Sequence, residues 1–322
     1  MSLVFGPVPS RRLGRSLGIN NIPPKECTYA CVYCQLGNTI KLEVERREFY
    51  STKNLVAAVE KQLDSLDHKL NKIDYLTIVP DGEPTLDLLL SENIKALKKF
   101  GIKIAVITNS SLLGNSEVRK GLLEADWISV KVDTVNENTW HKIDRPHGKL
   151  KLTSILKGVQ LFSEEYKNFL VTETMLVKGF NDSIEELKST SKFIDRLNPN
   201  VAYIAIPTRP PAEEFVVSPD EERITEAYQI FTSDGIQTEL ITGYEGNEFS
   251  ATGNLAEDVL NITAVHPMRK DAVDELVQRN NGNWKDVEYL VDSGKLIESE
   301  FDGNIFYLRN LKEWRKQTNI HS

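Results

Sequence analysis

Short apolar runs alternate with amphipathic stretches through most of the chain. Ile73–Val79, Ile102–Thr108, Trp127–Asp133, Leu170–Val177 and Val201–Ile206 are continuous and rich in β-branched residues. Such runs suit parallel strands covered on both faces. Leu17–Ile22 is a weaker first strand. Between the runs, apolar residues recur at helical spacing: Val56, Val59, Leu63, Leu66 and Leu70; then Leu86, Leu90, Ile94 and Leu97; then Ile184, Leu187, Ile194 and Leu197. Residues 220–234 carry Ile224, Ala227, Tyr228 and Phe231 on one side. The pattern predicts about six βα units, an α/β chain with a partial (β/α)6 parallel barrel, two units short of an eight-fold barrel.

The pattern then changes. Residues 236–262 are less regular and carry Gly243, Gly246 and Gly253, so this segment is expected to be an irregular connection between residues 1–235 and a small domain over 263–322. In that tail, 268–280 and 284–293 read as helices. Residues 295–301 and 304–309 read as strands joined by Asp302-Gly303, a tight-hairpin signal. Helix, turn, helix, hairpin is the outline of a winged helix.

Length and composition agree with a large domain and an appendage. The chain has 322 residues, 40% of them hydrophobic and 27% charged, with a formal charge of −8. Net acidity argues against non-specific coating of nucleic acid or anionic lipid. The tail from residue 262 onward has nine Lys and Arg against ten Asp and Glu. Its second helix sets Asp286, Glu288 and Asp292 around Lys285, and the hairpin adds Glu298, Glu300 and Asp302. Phosphate neutralisation needs cations, so DNA binding is not expected of this tail. No apolar run is long enough to span a membrane and no signal peptide is visible, so a cytoplasmic location is expected.

All three cysteines lie in one stretch: Cys27-Thr28-Tyr29-Ala30-Cys31-Val32-Tyr33-Cys34. An odd, clustered set is not a disulfide scaffold. Three thiolates at C-x3-C-x2-C spacing can surround one soft-metal centre. A closed zinc site would need a fourth ligand, and none of His68, His141, His147, His266 and His321 is close in sequence. A four-iron cluster held by three cysteines would keep one iron open for a substrate or cofactor. The competing reading is a zinc-binding winged-helix regulatory protein without catalytic activity.

The spacing, with Tyr33 before the last cysteine, resembles the signature of the radical S-adenosylmethionine superfamily. Asp81-Gly82-Glu83-Pro84 resembles that superfamily's Gly-Gly-Glu-Pro motif, with Asp81 replacing the first glycine. The run from Phe5 to Cys34 is similar to the wyosine-synthase-related radical proteins. The tricyclic-base wyosine synthases carry extra cysteines for a second cluster. This chain has none to spare, so it would be a single-cluster member.

The resemblance implies an oxygen-sensitive [4Fe-4S] cluster on Cys27, Cys31 and Cys34, and S-adenosylmethionine on the open iron. Reductive cleavage would give a 5′-deoxyadenosyl radical that takes hydrogen from a substrate, a tRNA base or a peptide or protein. Reduced flavodoxin or ferredoxin would supply the electron. Tyr33, Gly82, Glu83, Asn109, Ser129, Lys131 and Asp133 are the expected cofactor contacts. Lys131 and Asp133 share a strand face, so a salt bridge between them is the structural alternative. Candidates for catalysis are Arg11 and Arg12, which suit an anion clamp, Glu173 and Arg209 at strand ends, and His147 in the loop after the fourth strand. An RNA enzyme should also show a basic surface at the barrel mouth. Arg11, Arg12, Arg15, Lys41, Arg46 and Arg47 are the residues available for it.

Overall fold

A computed structural model describes residues 2–66, 72–243, 249, 251, 253–264 and 266–310. Leu70, His68, Gly246 and His321 lie outside the described residues. Thirteen strands form among the described residues: β1 (Val4–Ser10), β2 (Gly14–Ile19), β3 (Glu26–Cys27), β4 (Lys41–Leu42), β5 (Tyr75–Ile78), β6 (Lys103–Thr108), β7 (Trp127–Lys131), β8 (Phe169–Met175), β9 (Val201–Ala205), β10 (Thr238–Ile241), β11 (Met268–Arg269), β12 (Leu296–Phe301) and β13 (Asn304–Arg309). The main sheet has the order β1-β2-β5-β6-β7-β8-β9-β10. Its strands from β2 to β10 are parallel, whereas β1 is antiparallel to β2. The sheet curls into a half-barrel whose two ends, β1 and β10, do not pair.

The expected six-strand barrel is therefore extended at both ends. The first parallel strand begins at Gly14 rather than Leu17, and Ser10-Arg11-Arg12 turns into it from β1. At the other end, β10 pairs in parallel with β9, from Thr238↔Ala202 to Ile241↔Ala205. The segment 236–262, expected to be irregular, thus contains a sheet strand and most of a helix, Leu255–Thr263. Its apolar signal is weak because β10 is an edge strand, with Glu239 and Leu240 exposed.

Helices cover the outer face. Thr52–Ser65 buries Leu55 and Val59, Leu90–Leu97 buries Leu90, Ile94 and Leu97, and Ile184–Leu197 buries Leu187, Phe193, Ile194 and Leu197. Leu86 belongs to a separate turn, Pro84–Leu86. The helix Glu221–Ser233 buries Ile224, Ala227 and Phe231, but Tyr228 faces outward at 39% exposure. Helices Ser116–Leu122, Glu137–Ile143 and Leu152–Glu165 complete the crossovers.

The tail builds a second core. Helix Leu255–Thr263 leads through β11 to helices Lys270–Arg279 and Trp284–Asp292, then to the hairpin β12–β13, giving a small sheet ordered β11-β13-β12. Leu255, Val259, Ile262, Val273, Leu276, Val287 and Leu290 pack together, and Val8 of β1 packs against them. This contact sets the tail on the β1 edge of the half-barrel.

Candidate active site

The parallel strands point their C-terminal ends at one cavity of about 340 Å³. Cys27, Cys31, Cys34, Tyr33, Gly82, Glu83, Asn109, Lys131, Glu173, Arg12 and Arg209 all line it. Residues from Arg12 to Arg209 meet there because the strands of the main sheet, and the loops that follow them, converge at this end.

Local backbone pairing sets the cysteine loop in place. Cys27 ends β3, which pairs with β4, and Glu26 also bridges to Gly82. The Cys34 amide donates to the Cys31 carbonyl at 3.1 Å, the Val32 amide to Ile143 O at 2.9 Å, and the Ala30 amide to Asp144 O at 3.0 Å. The loop is thus held on one side by the Gly-Glu-Pro turn and on the other by the turn after helix Glu137–Ile143.

Gly82 has φ +154°, and a Cβ built on it would lie 2.0 Å from the Glu26 carbonyl oxygen. Glycine is required here by the close approach of the cysteine strand. Asp81, in place of the superfamily's glycine, pairs with Lys25 at 3.1 Å, and Lys25 also donates to Gly37 O. Glu83 is buried, yet its carboxylate accepts from Thr85 N, Thr85 Oγ1, Thr108 Oγ1 and Asn109 N at 2.6–3.0 Å. Burial raises its pKa against these donors. It caps the Pro84–Leu86 turn while still facing the cavity.

Asn109 Nδ2 lies 2.8 Å from Thr28 Oγ1 and 3.5 Å from Cys27 Sγ. Lys131 does not pair with Asp133. Its Nζ lies 3.1 Å from Glu173 Oε1, directly across from it in the β7–β8 register, and 4.6 Å from the centre of the Tyr33 ring. The strand ends at Lys131, so the two-residue alternation no longer applies at Asp133. Asp133 instead accepts from the Tyr33 hydroxyl and from Met175 N, behind the cavity wall. Ser129 shares the Lys131 face one step deeper and is buried outside the cavity lining.

Glu173 also pairs with Arg12, whose guanidinium sits over the Tyr203 ring. Arg12 and Lys131 overcome the effect of burial and hold the Glu173 pKa at about 2. Arg11 is exposed in the β1–β2 turn and is not part of the lining. His147 is also outside it. Its loop closes on the cysteine segment through His147 N to Thr28 O at 2.9 Å, but its ring accepts from Lys149 N.

Three residues not among the expected site residues join the site. Asp144 reaches Cys31 Sγ at 3.4 Å and accepts from the Tyr33 hydroxyl at 3.1 Å. Gln35 accepts from Arg209 at 2.7 Å. His266, from the tail, lines the cavity and meets Arg209 Nη2 at 3.0 Å. A guanidinium can only donate, so His266 Nε2 is the acceptor. Burial, then the Arg209 charge, push the His266 pKa well below 6.5.

The donor set fits the cluster named above. Three thiols face one partly buried cavity with amide and carboxylate groups around it. Burial and Glu83 push the Cys27 thiol up to about 12, and burial and Asp144 raise Cys31. A metal centre would therefore displace protons as it binds. Among the described residues, no three His, Cys, Asp or Glu side chains converge as on a single metal ion. Thiolates on separate irons of a cluster need not converge in that way.

Comparisons with known proteins agree. The model of the radical SAM superfamily matches residues 21–193. UPF0026 protein MJ1312 of Methanocaldococcus jannaschii is 46% identical over 97% of this chain and 97% of its own length. A radical SAM methyltransferase from Sphaerobacter thermophilus superposes with a TM-score of 0.52 at 14% identity, covering 70% of this chain and 66% of that one. A structure of TYW1 with a lysine-pyruvate adduct covers 92% of this chain and 80% of that one, with a TM-score of 0.48 at 14% identity. The family implies a [4Fe-4S] cluster and S-adenosylmethionine as cofactors. With the family model matched over residues 21–193 and a 46% identical relative matched along nearly its whole length, the chain belongs to the radical SAM superfamily of enzymes, beside the UPF0026 proteins.

Proposed function

We propose that this enzyme cleaves S-adenosylmethionine reductively and directs the product radical at a peptide or protein substrate entering the cavity. The observation that carries the reading is the meeting of the three cysteines, Gly82-Glu83, Asn109 and Lys131 in one cavity at the strand ends. A bound cluster would supply the electron for reductive cleavage of S-adenosylmethionine. Cys27, Cys31 and Cys34 would hold the cluster. Glu83 and the backbone at Gly82 offer acceptors to the methionine ammonium group, and Asn109 and Lys131 line the same wall. Asp133 supports that wall from behind through Tyr33, and Ser129 lies one step deeper on the Lys131 face. The buried surroundings exclude water from the reacting centre.

The arrangement of the cations supports this choice of substrate class. Of the basic residues available for an RNA-facing surface, Arg12 pairs with Glu173, Arg47 and Lys41 with Glu26, and Arg46 donates to the Thr85 and Asp87 carbonyls. Arg12 and Arg46 are engaged inside the fold, and the more exposed Lys41 and Arg47 share the Glu26 carboxylate, which leaves fewer uncompensated cations at the mouth and favours a peptide or protein over tRNA. We read the tail as a winged-helix unit that helps hold such a partner. Reduced flavodoxin or ferredoxin is the expected electron donor, and the cytoplasm the expected location. No helix among the described residues is long and apolar enough to cross a membrane.

Anaerobic reconstitution tests the reading. Iron, sulfide and dithionite-dependent formation of 5′-deoxyadenosine are expected. Zinc without sulfide, or no 5′-deoxyadenosine, overturns it. Tight tRNA binding that falls steeply with salt would move the substrate to RNA.

A further inference from the structure

Lys131 and Glu173 are opposite charges fixed at one end of the cysteine loop. They face each other across adjacent parallel strands, in the register Lys131↔Glu173. Neither side chain is free to swing into solvent. Lys131 Nζ is held by Glu173 Oε1 at 3.1 Å and lies over Tyr33, the residue that precedes Cys34. Glu173 is held in turn by Arg12 on β2's approach turn. Both line the cavity that contains the three thiols. Lys131 stands near enough to Cys31 for each charge to act on the other.

A charge held this way acts on any redox centre in the cavity. Adding an electron makes the centre more negative. A fixed cation nearby stabilises the reduced form and a fixed anion opposes it, and burial enlarges both effects. We propose that Lys131 sets the reduction potential of the cluster held by Cys27, Cys31 and Cys34, with Glu173 as the opposing charge that limits its effect. This rests on the cluster-binding reading above. The step concerned is one electron passing from a reductant to the cluster, with no bond made or broken and no proton moved.

The test is an EPR-monitored redox titration of the reconstituted holoprotein with titanium(III) citrate, which is oxidised to titanium(IV), in the absence of S-adenosylmethionine. Iron and sulfide contents are read first. If wild-type protein takes up no cluster, the cluster-binding reading fails, and this inference fails with it. With the cluster loaded, Lys131→Met should move the midpoint to a more negative potential. Lys131→Arg should keep the wild-type value, and Glu173→Gln should move it to a less negative one. Lys131→Met/Glu173→Gln should return towards wild type. A wild-type midpoint in loaded Lys131→Met overturns the proposal. If Lys131→Met does not fold or load, Glu173→Gln decides: an unchanged or more negative midpoint overturns the proposal.

Discussion

Lys25 Nζ lies 3.1 Å from Asp81 Oδ1, and their side chains are only 5% and 3% exposed. The pair joins the residue before β3 to the turn that carries Gly82 and Glu83. The Lys25 amide also donates to the Asp81 carbonyl. The acidic residue that departs from the superfamily's glycine therefore has a partner two positions before Cys27. Breaking a buried pair leaves one uncompensated charge, at about 3–5 kcal/mol. Lys25→Met should lower the unfolding free energy by that order, and Lys25→Met/Asp81→Leu should recover much of it in the same chemical melts.

Gly82→Ala should disturb the cysteine strand itself. The new Cβ meets the Glu26 carbonyl oxygen, and the φ of +154° disfavours an L side chain. Strain of this kind is worth about 1–3 kcal/mol. Iron bound per chain after reconstitution should fall, and an unchanged iron content would refute the close packing of these two segments.

Substituting serine for any one of Cys27, Cys31 or Cys34 should remove the cluster rather than weaken it. Each thiol serves one iron, and no other cysteine exists in the chain to replace it. The visible absorption of reconstituted protein measures this directly. Single variants that retain full iron and sulfide would contradict the assignment.

His266 links stability to pH. It is buried and kept neutral, so the unfolded chain binds a proton below pH 6.5 that the folded chain refuses. Its contribution is fully present above that pH and is lost as the pH falls, with a slope of at most about 1.4 kcal/mol per pH unit. Wild-type protein should lose more stability than His266→Phe between pH 7.5 and 5.5. Equal losses in urea melts at the two pH values would show that the imidazole takes up its proton inside the fold.

Glu173 titrates in the opposite chemical sense but with the same consequence. Its pKa is lowered from 4.5 to about 2, so its ion pairs stabilise the fold above pH 4.5 and fade as the pH drops towards 2. Glu173→Gln should destabilise the protein at pH 7. The difference from wild type should shrink steadily below pH 4.5 in acid unfolding followed by circular dichroism.

The parallel strands and the cysteine loop were legible in the sequence because they depend on local signals. Continuous β-branched runs mark buried strands wherever they occur, and the C-x3-C-x2-C spacing marks thiols that a single loop can gather. Gly82, Glu83 and Asn109 were readable for a related reason, since each follows a strand whose end could be located. Only the tertiary structure decided the pairings. Lys131 meets Glu173 rather than Asp133, because strand register sets neighbours across a sheet and β7 stops before Asp133. The edge strand β10 and the hairpin strand β1 lacked a continuous apolar run, since edge positions are partly open to water. Nothing local in the sequence tied Asp144 or His266 to the cysteines. One reaches Cys31 across 113 residues, and the other comes from the tail to meet Arg209. Contacts of that separation arise from how the sheet curls and where the tail packs, and residue spacing along the chain does not encode them.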